Sequence, residues 1–527
     1  MKKIWKIKEY DNSIIEKITS HFKISPIIAI VLYNRGLRDI DQIQNFLSYN
    51  EHEFYSPFLF KDAEIAVDLI KEIVDKGEKI AVFGDYDVDG ITSVAIFHEF
   101  FTDQLKYDNV EYILPEREIG YGLNSAFIDR IVDKGVSLLI TVDCGICNVD
   151  EIRRAREKGI KVIITDHHEI PDDIPEAEAV INPKLPDQYP ISYLAGVGVA
   201  FKVIQACLER LELDKDFVDK IIDLVALGTI ADIVPVLDEN RLITKLGLDK
   251  MKKHKRPGIE AIMKYVYGND INSRTISFGI APRINASGRI GNPKVALDLL
   301  ITKDKHEAQT LAKELNDQNR KRQTIEMGIM KKADQLVKED PLNEKVIILS
   351  SYDWNIGVIG VVSSKLKDNY FRPAFLISID KESGIGKGSA RSVQGFHLVE
   401  SLNMCSDLLI EYGGHEFAAG FTIKEENIPA FHKRLVDIFE NEQAKGDSEG
   451  PTIEVDMEVE PQDVNMHLYD ELRQKLYPYG EKNPFPRFAM RNVSIKNLNV
   501  FSGRHLSLWL TDGFHNIKAV CYNFLKE

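Results

Sequence analysis

Cysteine is scarce in this chain of 527 residues, which holds only five thiols. A sparse and odd-numbered set excludes a disulfide framework and favours a reducing compartment. No apolar run approaches the roughly 18 residues that a membrane helix needs. The first residues run straight into charged sequence and lack the apolar core of a signal peptide. The sequence therefore predicts a cytoplasmic protein without a membrane segment.

Positive charge is in deficit. Lys and Arg number 67 against 82 Asp and Glu, which gives a formal net charge of −15. This balance excludes a polycation that coats nucleic acid without specificity. It does not exclude a nucleic-acid enzyme, because carboxylates that hold metal ions count toward the same total. Internal repeats and low-complexity tracts are also absent, and a content of 44% apolar and 28% charged residues is typical of globular proteins.

Apolar runs and the breaks between them predict an α/β protein of five segments. Apolar strand patterns at 79–83, 137–142 and 161–165 alternate with helical patterns, which indicates a parallel sheet covered on both faces. A polar helix about 55 Å long follows, and then a second α/β unit with glycine-rich loops at 384–388 and 413–420. The predicted segments are an N-terminal helical segment (1–50), a parallel-sheet domain (51–303), a connecting long helix (304–340), a smaller α/β domain (341–445) and a C-terminal β-domain (450–527).

Three of the strand-like runs each end in an aspartate, namely Asp85, Asp143 and Asp166. In a parallel sheet the carboxyl ends of the strands face one crevice, and functional residues gather there. Carboxylates crowded in one crevice repel one another unless cations neutralise them. A single aspartate after a strand is as often a helix N-cap as a ligand. Three of them in one sheet favour a metal site.

Further ligand types accompany these aspartates. Asp87 follows Asp85 in the first run, His167 and His168 follow the third run, and Asp232 lies in an apolar stretch where it needs a partner. Aspartates mixed with imidazole suit Mn²⁺ or Mg²⁺ better than zinc. Such a set predicts hydrolysis of a phosphate ester with the help of two metal ions.

The loop that follows the first strand has an alternative interpretation. Asp-x-Asp-x-Asp-Gly is also the start of a calcium-binding loop of the EF-hand type. Such a loop ends in a glutamate at its twelfth position, where this chain has Ile96. The calcium interpretation is therefore disfavoured.

Eight motifs, in order from about residue 80 to 490, resemble the DHH phosphoesterase superfamily. The N-terminal motifs are Asp85-x-Asp87-x-Asp89-Gly90, Asp143-Cys144-Gly145, Asp166-His167-His168 and Gly228-Thr229-x-Ala231-Asp232. The later motifs are Arg283-x-Asn285-Ala286-x-Gly288-Arg289, Trp354-Asn355-x-Gly357-Val358-Ile359-Gly360, Gly388-Ser389-Ala390-Arg391-Ser392 and Gly413-Gly414-His415-x-x-Ala418-Ala419-Gly420. Within the superfamily the chain is similar to the single-strand-specific 5′→3′ DNA exonucleases.

The resemblance implies a role for each catalytic residue of the first domain. Asp166 would orient the histidines, and His168 would face the substrate phosphate. The residues that the resemblance assigns as ligands of two Mn²⁺ or Mg²⁺ ions are Asp85, Asp87, Asp143, His167 and Asp232.

The resemblance also implies a substrate side in the DHHA1-type second domain. Its glycine-rich loop with His415 would close over the substrate from across the cleft. The implied pocket for the 5′ end consists of Arg117, Ser389 and Arg391, and the implied contacts near the scissile or adjacent phosphate come from Arg283, Asn285 and Arg289. Arginine offers a rigid fork for phosphate oxygens, but any one arginine alone is as well explained by an ordinary ion pair.

The C-terminal segment differs in charge from the rest of the chain. From 481 to 527 seven basic residues face three acidic ones, so its local charge is 7 − 3 = +4. A strict alternation at 505–510 puts leucines on one face and Trp509 on the other, which predicts a small antiparallel sheet or barrel. Basic residues with aromatic faces suit a single-stranded nucleic acid. The related exonucleases carry an oligonucleotide-binding (OB) barrel here, and we expect that barrel to be reduced or to continue beyond Glu527.

Together the residues and the resemblance predict an exonuclease of DNA repair and recombination that releases 5′-mononucleotides from single-stranded DNA. Its expected form is a monomer, with a helicase and a single-strand-binding protein as possible partners. One alternative is a DHH phosphodiesterase for oligoribonucleotides, cyclic dinucleotides or pyrophosphate, although such relatives usually carry a histidine where this chain has Ala81. The other alternative is an inactive nucleic-acid-binding relative, although such relatives lose the metal aspartates and histidines that are present here.

Overall fold

The computed structural model describes residues 4–48, 54–115, 123–187, 189–268, 270–443 and 452–524. The N-terminal segment comprises β1 (Ile4–Ile7), α1 (Asn12–Phe22), α2 (Pro26–Asn34) and α3 (Ile40–Leu47). Each of these helices begins after a side-chain cap, because Asp11, Ser25 and Asp39 accept hydrogen bonds from backbone N–H groups of the first turn. No helix within the described ranges is long and apolar enough to cross a membrane.

The first α/β domain is built on a five-stranded parallel sheet, as the sequence predicts. Its strands are β2 (Lys79–Gly84), β3 (Val110–Ile113), β4 (Val136–Val142), β5 (Lys161–Thr165) and β6 (Ala179–Ile181). They lie in the order β3-β2-β4-β5-β6 with every pair parallel. Alternate residues of β4, such as Leu138 and Leu139, enter two separate apolar cores on opposite faces of the sheet. The carboxyl ends of β2, β4 and β5 therefore lie side by side at the middle of one edge.

Helices cover both faces of this sheet. They are α4 (Ala63–Asp75), α5 (Val88–Glu99), α6 (Ser125–Asp133), α7 (Val149–Glu157), α8 (Gly196–Arg210), α9 (Phe217–Ala231), α10 (Asp238–Lys253), α11 (Pro257–Met263), α12 (Ser273–Thr275), α13 (Ala281–Ile290) and α14 (Lys294–Ile301). Helix α5 is apolar on all sides and is packed by both α8 and α9. This packing fixes the N-terminus of α5 against the carboxyl edge of the sheet.

A single helix, α15 (Lys305–Leu336), connects the two α/β domains and confirms the predicted long helix. Its 32 residues span about 48 Å. Ala312 and Leu315 pack in the core of the first domain, whereas Ile329 and Ala333 pack in a core of the second. The helix ends at Leu336, before the predicted boundary at 340. Asp340 itself is extended, because the proline at 341 disfavours a helical conformation in the residue before it.

The second α/β domain has a mixed five-stranded sheet. Its strands are β7 (Ile347–Ser351), β8 (Ala374–Ile379), β9 (Ile385–Arg391), β10 (Leu409–Gly414) and β11 (Ala418–Lys424), and its helices are α16 (Ile356–Tyr370), α17 (Leu398–Asn403) and α18 (Ile428–Gln443). The strand order is β10-β11-β9-β8-β7, and the pair β7 and β8 is parallel. The prediction of glycine-rich loops at 384–388 and 413–420 is wrong, because most of these residues lie in strands. Gly388 lies within β9, and the position requires glycine because a Cβ atom there would overlap the ring of Phe421.

Gly388→Ala is therefore expected to lower the free energy of unfolding by about 1 to 3 kcal/mol, since overpacking displaces the Phe421 ring. The measurement is the midpoint of urea unfolding. Gly420→Ala is the matched control on the neighbouring strand, because a Cβ atom at position 420 meets only Gly388 O, at 3.9 Å. Equal midpoints for the two variants would contradict the steric explanation.

The C-terminal region ends in an antiparallel sheet. The elements of this region are β12 (Thr452–Val455), β13 (Met457–Glu458), α19 (Met466–Glu471), β14 (Phe488–Ala489), β15 (Ser494–Phe501), β16 (His505–Thr511) and β17 (Asn516–Cys521). Strands β15, β16 and β17 follow one another in an open three-stranded sheet within residues 452–524. The alternation in β16 is as predicted, because Leu506 is buried whereas Trp509 is 40% exposed.

The N-terminal segment packs on the C-terminal region. Strand β1 pairs with β12 in parallel, and Ile18 and Ile28 share an apolar core with Leu468 and Leu472. The buried guanidinium of Arg241, from the first α/β domain, donates to four backbone carbonyls of residues 475–478. Residues far apart in the sequence thus join the two ends of the chain to the first domain.

Candidate metal centre and nucleic-acid cleft

The loop after β2 places three aspartates at the start of α5. Asp87 is the N-cap, and its Oδ1 accepts hydrogen bonds from Asp89 N at 2.9 Å and Gly90 N at 3.1 Å. Asp85 is buried directly after the strand. Gly90 allows this tight turn, because a Cβ atom there would overlap the backbone of Asp85. Capping engages one oxygen of Asp87, so the cap and a metal-ligand role are compatible.

Asp143 lies beside this loop at the end of β4. Its backbone has a φ of 58°, in the left-handed region that residues other than glycine seldom adopt. This conformation turns the chain sharply away from the sheet, and Asp143 N still donates to Thr165 O at 2.9 Å. Helix α8 begins against the carboxylate, because a Cβ atom on Gly196 would lie 2.5 Å from Asp143 Oδ1.

His167 lies close to aspartates of three other chain segments. Its Nε2 lies 3.1 Å from Asp143 Oδ1 and 3.9 Å from Asp89 Oδ2, and its Nδ1 lies 3.7 Å from Asp232 Oδ2. Within the described residues, three groups of side chains could each hold a metal ion, because the ligand atoms of each group lie within 4.8 Å of one another. They are Asp143 with His167 and His168, Asp89 with His167 and Asp232, and Asp85 with Asp87 and Asp143. We refer to these seven residues as the metal cluster.

Asp166 contacts both residues of the histidine pair. Its Oδ1 accepts from His167 N at 2.7 Å and His168 N at 3.1 Å and lies 2.7 Å from His168 Nδ1, while Oδ2 accepts from Ile146 N at 2.9 Å. Burial raises the pKa of Asp166, but the hydrogen bonds outweigh burial and the pKa falls below its usual value. For His168, burial lowers the pKa and Asp166 raises it, with a net rise. The His168 side chain is 31% exposed, against 13% for His167.

The electrostatics of the cluster fit divalent cations. Burial and neighbouring aspartates raise the pKa of Asp89 and of Asp143 well above the usual value. Burial and Asp87 raise the pKa of Asp232 to about 7. Burial lowers the pKa of His167 to about 3, so the imidazole is neutral and can act as a ligand. Cations among these groups would relieve the repulsion, and a set of carboxylates with imidazole suits Mn²⁺ or Mg²⁺.

Asp89 is a member of the cluster that the sequence interpretation did not assign. Its buried carboxylate accepts from Gly196 N at 2.6 Å and Val197 N at 2.8 Å, so it also holds the start of α8. The signal for Asp89 in the sequence was the third aspartate of Asp-x-Asp-x-Asp-Gly. The structure brings the five predicted ligands together with Asp89, His168 and the orienting Asp166.

The second α/β domain presents its predicted substrate residues from β9 and from the turn after β10. Ser389 Oγ accepts from Arg391 Nη1 at 3.2 Å. His415 lies in the turn between β10 and β11. Burial lowers the pKa of His415, and the nearby charge of His168 lowers it further. Arg117, the third residue predicted for the 5′ pocket, lies outside the described residues.

Helix α13 contributes two predicted residues at the junction of the domains. Asn285 Oδ1 accepts from Val88 N at 3.1 Å, at the start of α5. Arg289 donates through Nη1 to Gly357 O at 3.2 Å, which connects α13 to the second domain.

The structure does not bring Arg283 together with these residues. The guanidinium of Arg283 donates to Gly279 O at 2.7 Å, Tyr265 O at 2.6 Å and Asn316 Oδ1 at 3.2 Å. Positions 283 and 285 are two residues apart and therefore point to different sides of the helix.

The C-terminal sheet presents Trp509 on its polar face. The residues opposite Trp509 on the neighbouring strands are Asn497 and Lys518. A half-exposed indole beside an ammonium group has the chemistry of a stacking position for a nucleobase.

Comparisons with known proteins agree with this architecture. Residues 79–229 match the DHH family N-terminal domain, residues 343–441 the DHHA1 domain and residues 455–527 the RecJ OB domain. The chain is 38% identical to the single-stranded-DNA-specific exonuclease RecJ of Bacillus subtilis, over 99% of this chain and 66% of that protein. It is 36% identical to the exonuclease of the same name from Haemophilus influenzae, over 81% of this chain and 77% of that protein.

A solved structure is similar over nearly the whole chain. The crystal structure of RecJ in complex with Mn²⁺ from Thermus thermophilus matches with a TM-score of 0.83 and 30% identity, over 98% of this chain and 74% of that one. The chain thus spans about two thirds to three quarters of the length of these relatives. The chain belongs to the RecJ family of single-stranded-DNA-specific exonucleases.

Proposed function

We propose that this protein is a metal-dependent exonuclease that shortens single-stranded DNA from the 5′ end and releases 5′-mononucleotides. The observation that carries the proposal is the convergence of Asp143, Asp89 and Asp232 on His167 at the edge of the sheet. This geometry provides a site for cations. Membership of the RecJ family supports DNA as the polymer.

Most residues of the metal cluster act as metal ligands in this proposal. Asp85, Asp87, Asp143, His167 and Asp232 hold two divalent cations, and Asp89 completes the set. Bound Mn²⁺ or Mg²⁺ supplies Lewis-acid chemistry, drawing charge from the phosphoryl oxygens and lowering the pKa of a water molecule.

Two further residues act on the phosphate from the same edge. Asp166 keeps the imidazole of His168 in one orientation through the contact at Nδ1. The raised pKa of His168 favours the imidazolium, which attracts a phosphate oxygen.

The strand is held by residues on both sides of the cleft. Ser389 and Arg391, with Arg117, bind the terminal 5′-phosphate, and this pocket sets the direction of degradation. Asn285 and Arg289 contact the scissile or adjacent phosphate from the junction of the domains, and Arg283 contributes by anchoring α13. Trp509 stacks on a base further along the strand.

The same chain supplies both walls of the cleft, which supports a monomer as the working form. Five free cysteines support the cytoplasm as its compartment. An enzyme that acts only on single strands depends on proteins that open duplex DNA or cover single strands, so we propose a helicase and a single-strand-binding protein as partners.

The proposed activity is divided between a catalytic domain at 51–303 and a substrate-binding domain at 341–445, joined by the helix segment at 304–340. They are flanked by the helical segment at 1–50 and an OB-like domain at 450–527.

The test is digestion of 5′-labelled and 3′-labelled strands of DNA and RNA, side by side, with Mn²⁺ or Mg²⁺. We expect the 5′ label on DNA to appear first as a mononucleotide, whereas the 3′ label stays on progressively shorter strands. Cleavage restricted to short RNA would favour the phosphodiesterase alternative. Binding of DNA without any shortening, with either metal, would favour an inactive binding protein.

A further inference from the structure

Lys184 is a cation beside the metal cluster to which the proposed function gives no role. It lies just after β6, in the same sheet, and 27% of its side-chain surface is exposed. Its Nζ lies 2.9 Å from Oε1 of Glu169, the residue that directly follows His168. The ammonium group is thus on the carboxyl edge of the sheet, where the metal cluster lies.

The turn that carries Lys184 is also bonded to the histidine segment. Asn182 is fully buried, and its Nδ2 donates to His168 O at 3.0 Å. The Oδ1 of the same side chain accepts from Lys184 N at 2.9 Å. Asn182 therefore holds the backbone of Lys184 in a defined position relative to His168, unlike the backbone of an ordinary surface lysine.

The same contacts place the ammonium group of Lys184 beside the histidine segment. Its ion-pair partner Glu169 directly follows His168, and Asn182, which holds the backbone of Lys184, donates to His168 O. The charge of Lys184 also acts on the second domain, because burial lowers the pKa of His415 and Lys184 adds to this lowering. Lys184 thus lies close to His168, and its charge acts on a residue of the other domain.

The ammonium group of Lys184 can bind a ligand in addition to Glu169. A lysine ammonium has three N–H donors, and within the described residues one of them is engaged, by Glu169. The Glu169 side chain is 66% exposed, and an ion pair that open contributes little to stability. A buried asparagine that fixes the backbone of Lys184 is therefore not explained by this ion pair.

We propose that Lys184 binds a non-bridging oxygen of the phosphate that is cleaved, beside His168, and that Glu169 positions the ammonium. The inference rests on the proposed exonuclease function, since it requires a nucleic-acid strand in the cleft. It adds a substrate-binding cation to the first α/β domain, distinct from Arg117 and from Arg391 of the second domain.

The test replaces Lys184 with methionine, which keeps the length of the side chain and removes the charge. We expect kcat/KM for a 5′-phosphorylated DNA strand to fall by about 10- to 100-fold, as for the loss of one charge-assisted hydrogen bond. Lys184→Arg should keep most of the activity, because the guanidinium restores the charge. Glu169→Gln should cause a smaller loss, because it removes the positioning group and leaves the ammonium.

The matched control is Lys161→Met. Lys161 opens β5 at the amino edge of the same sheet, and its Nζ also lies 2.9 Å from a glutamate, Glu72. This variant should keep kcat/KM within twofold. Melting temperatures of the variants, measured in EDTA, should agree within a few degrees.

Strand binding in EDTA gives a readout that does not depend on catalysis. For single strands the slope of log K against log salt changes by about 0.7 for each phosphate contact. Lys184→Met should reduce this slope by about 0.7 relative to the wild type, and Lys161→Met should leave it unchanged. A structural role for Lys184 would not change the slope.

The two hypotheses fail in different ways. A wild-type protein that degrades DNA, with Lys184→Met indistinguishable from Lys161→Met in rate and salt slope, overturns the assignment of Lys184 and leaves the proposed function intact. A wild-type protein that degrades no nucleic acid with either metal overturns the proposed function, and the assignment of Lys184 with it.

Discussion

Asp143→Asn is expected to reduce the release of mononucleotides by about 1000-fold or more, because metal ions supply several kcal/mol of stabilisation to the transition state and each 1.36 kcal/mol is worth tenfold in rate. Asp143 belongs to two of the three ligand groups among the described residues, one with His167 and one with Asp85, so its loss would remove a ligand from both groups. The measurement is the single-turnover rate with saturating Mn²⁺. Retention of the wild-type rate would falsify the metal-centre assignment.

Asp143→Asn should be at least as stable as the wild type without metal, and less stable than the wild type with Mn²⁺. Without metal, the raised pKa of Asp143 means that its ionised form destabilises the fold at neutral pH. Removing this charge should therefore keep or raise the melting temperature in EDTA. Mn²⁺ should stabilise the wild type by mass action and the variant much less. Asp150→Asn is the control, because Asp150 is an exposed aspartate of the same domain that pairs with Arg153.

Gly196→Ala is expected to lower kcat/KM by about 100-fold, because a displacement of about 1 Å at a catalytic group can cost that factor. An added Cβ atom would lie 2.5 Å from Asp143 Oδ1 and 2.8 Å from its Cγ, so the carboxylate or the start of α8 must move. Gly196 also donates its N–H to Asp89, which couples the displacement to a second cluster residue. Steady-state kinetics with Mn²⁺ measures the effect.

Gly328→Ala controls for the general effect of adding a methyl group. Gly328 lies in the middle of α15, and a Cβ atom there has no neighbour within 4 Å. Activity should stay within twofold, and stability should rise by about 1 kcal/mol from helix propensity. If Gly196→Ala left the activity as high as Gly328→Ala does, the close approach of α8 would not control the cluster.

Much of the first domain could be predicted from the sequence because its signals are local. Short continuous apolar runs that alternate with helical patterns are typical of a parallel sheet covered on both faces, so the strands at 79–83 and 161–165 were evident. An aspartate at the end of such a strand must lie at the carboxyl edge. The positions of Asp85, Asp143 and Asp166 followed from this rule and from the order of the chain.

Other features depend on contacts that no local pattern reveals. Gly388 resembles a loop residue in sequence, but it lies in a strand. The residue is a glycine because the Phe421 ring occupies the space that a side chain would need. Arg283 and Asn285 belong to one motif, yet helix geometry sends their side chains to different partners. The packing of the N-terminal helices on residues 468–476 joins segments more than 400 residues apart.

The amino-acid sequence by itself determined the chemistry of this protein, namely acidic and imidazole ligands at neighbouring strand ends and a family of exonucleases that carries them. The tertiary structure alone decided which groups meet. Asp89 joins the cluster because α8 begins on its carboxylate, and Lys184 joins the cleft because Asn182 fixes its turn to His168. The physical reason is that side-chain types and strand periodicity are properties of the local chain, whereas distances between charges depend on the packing of distant segments.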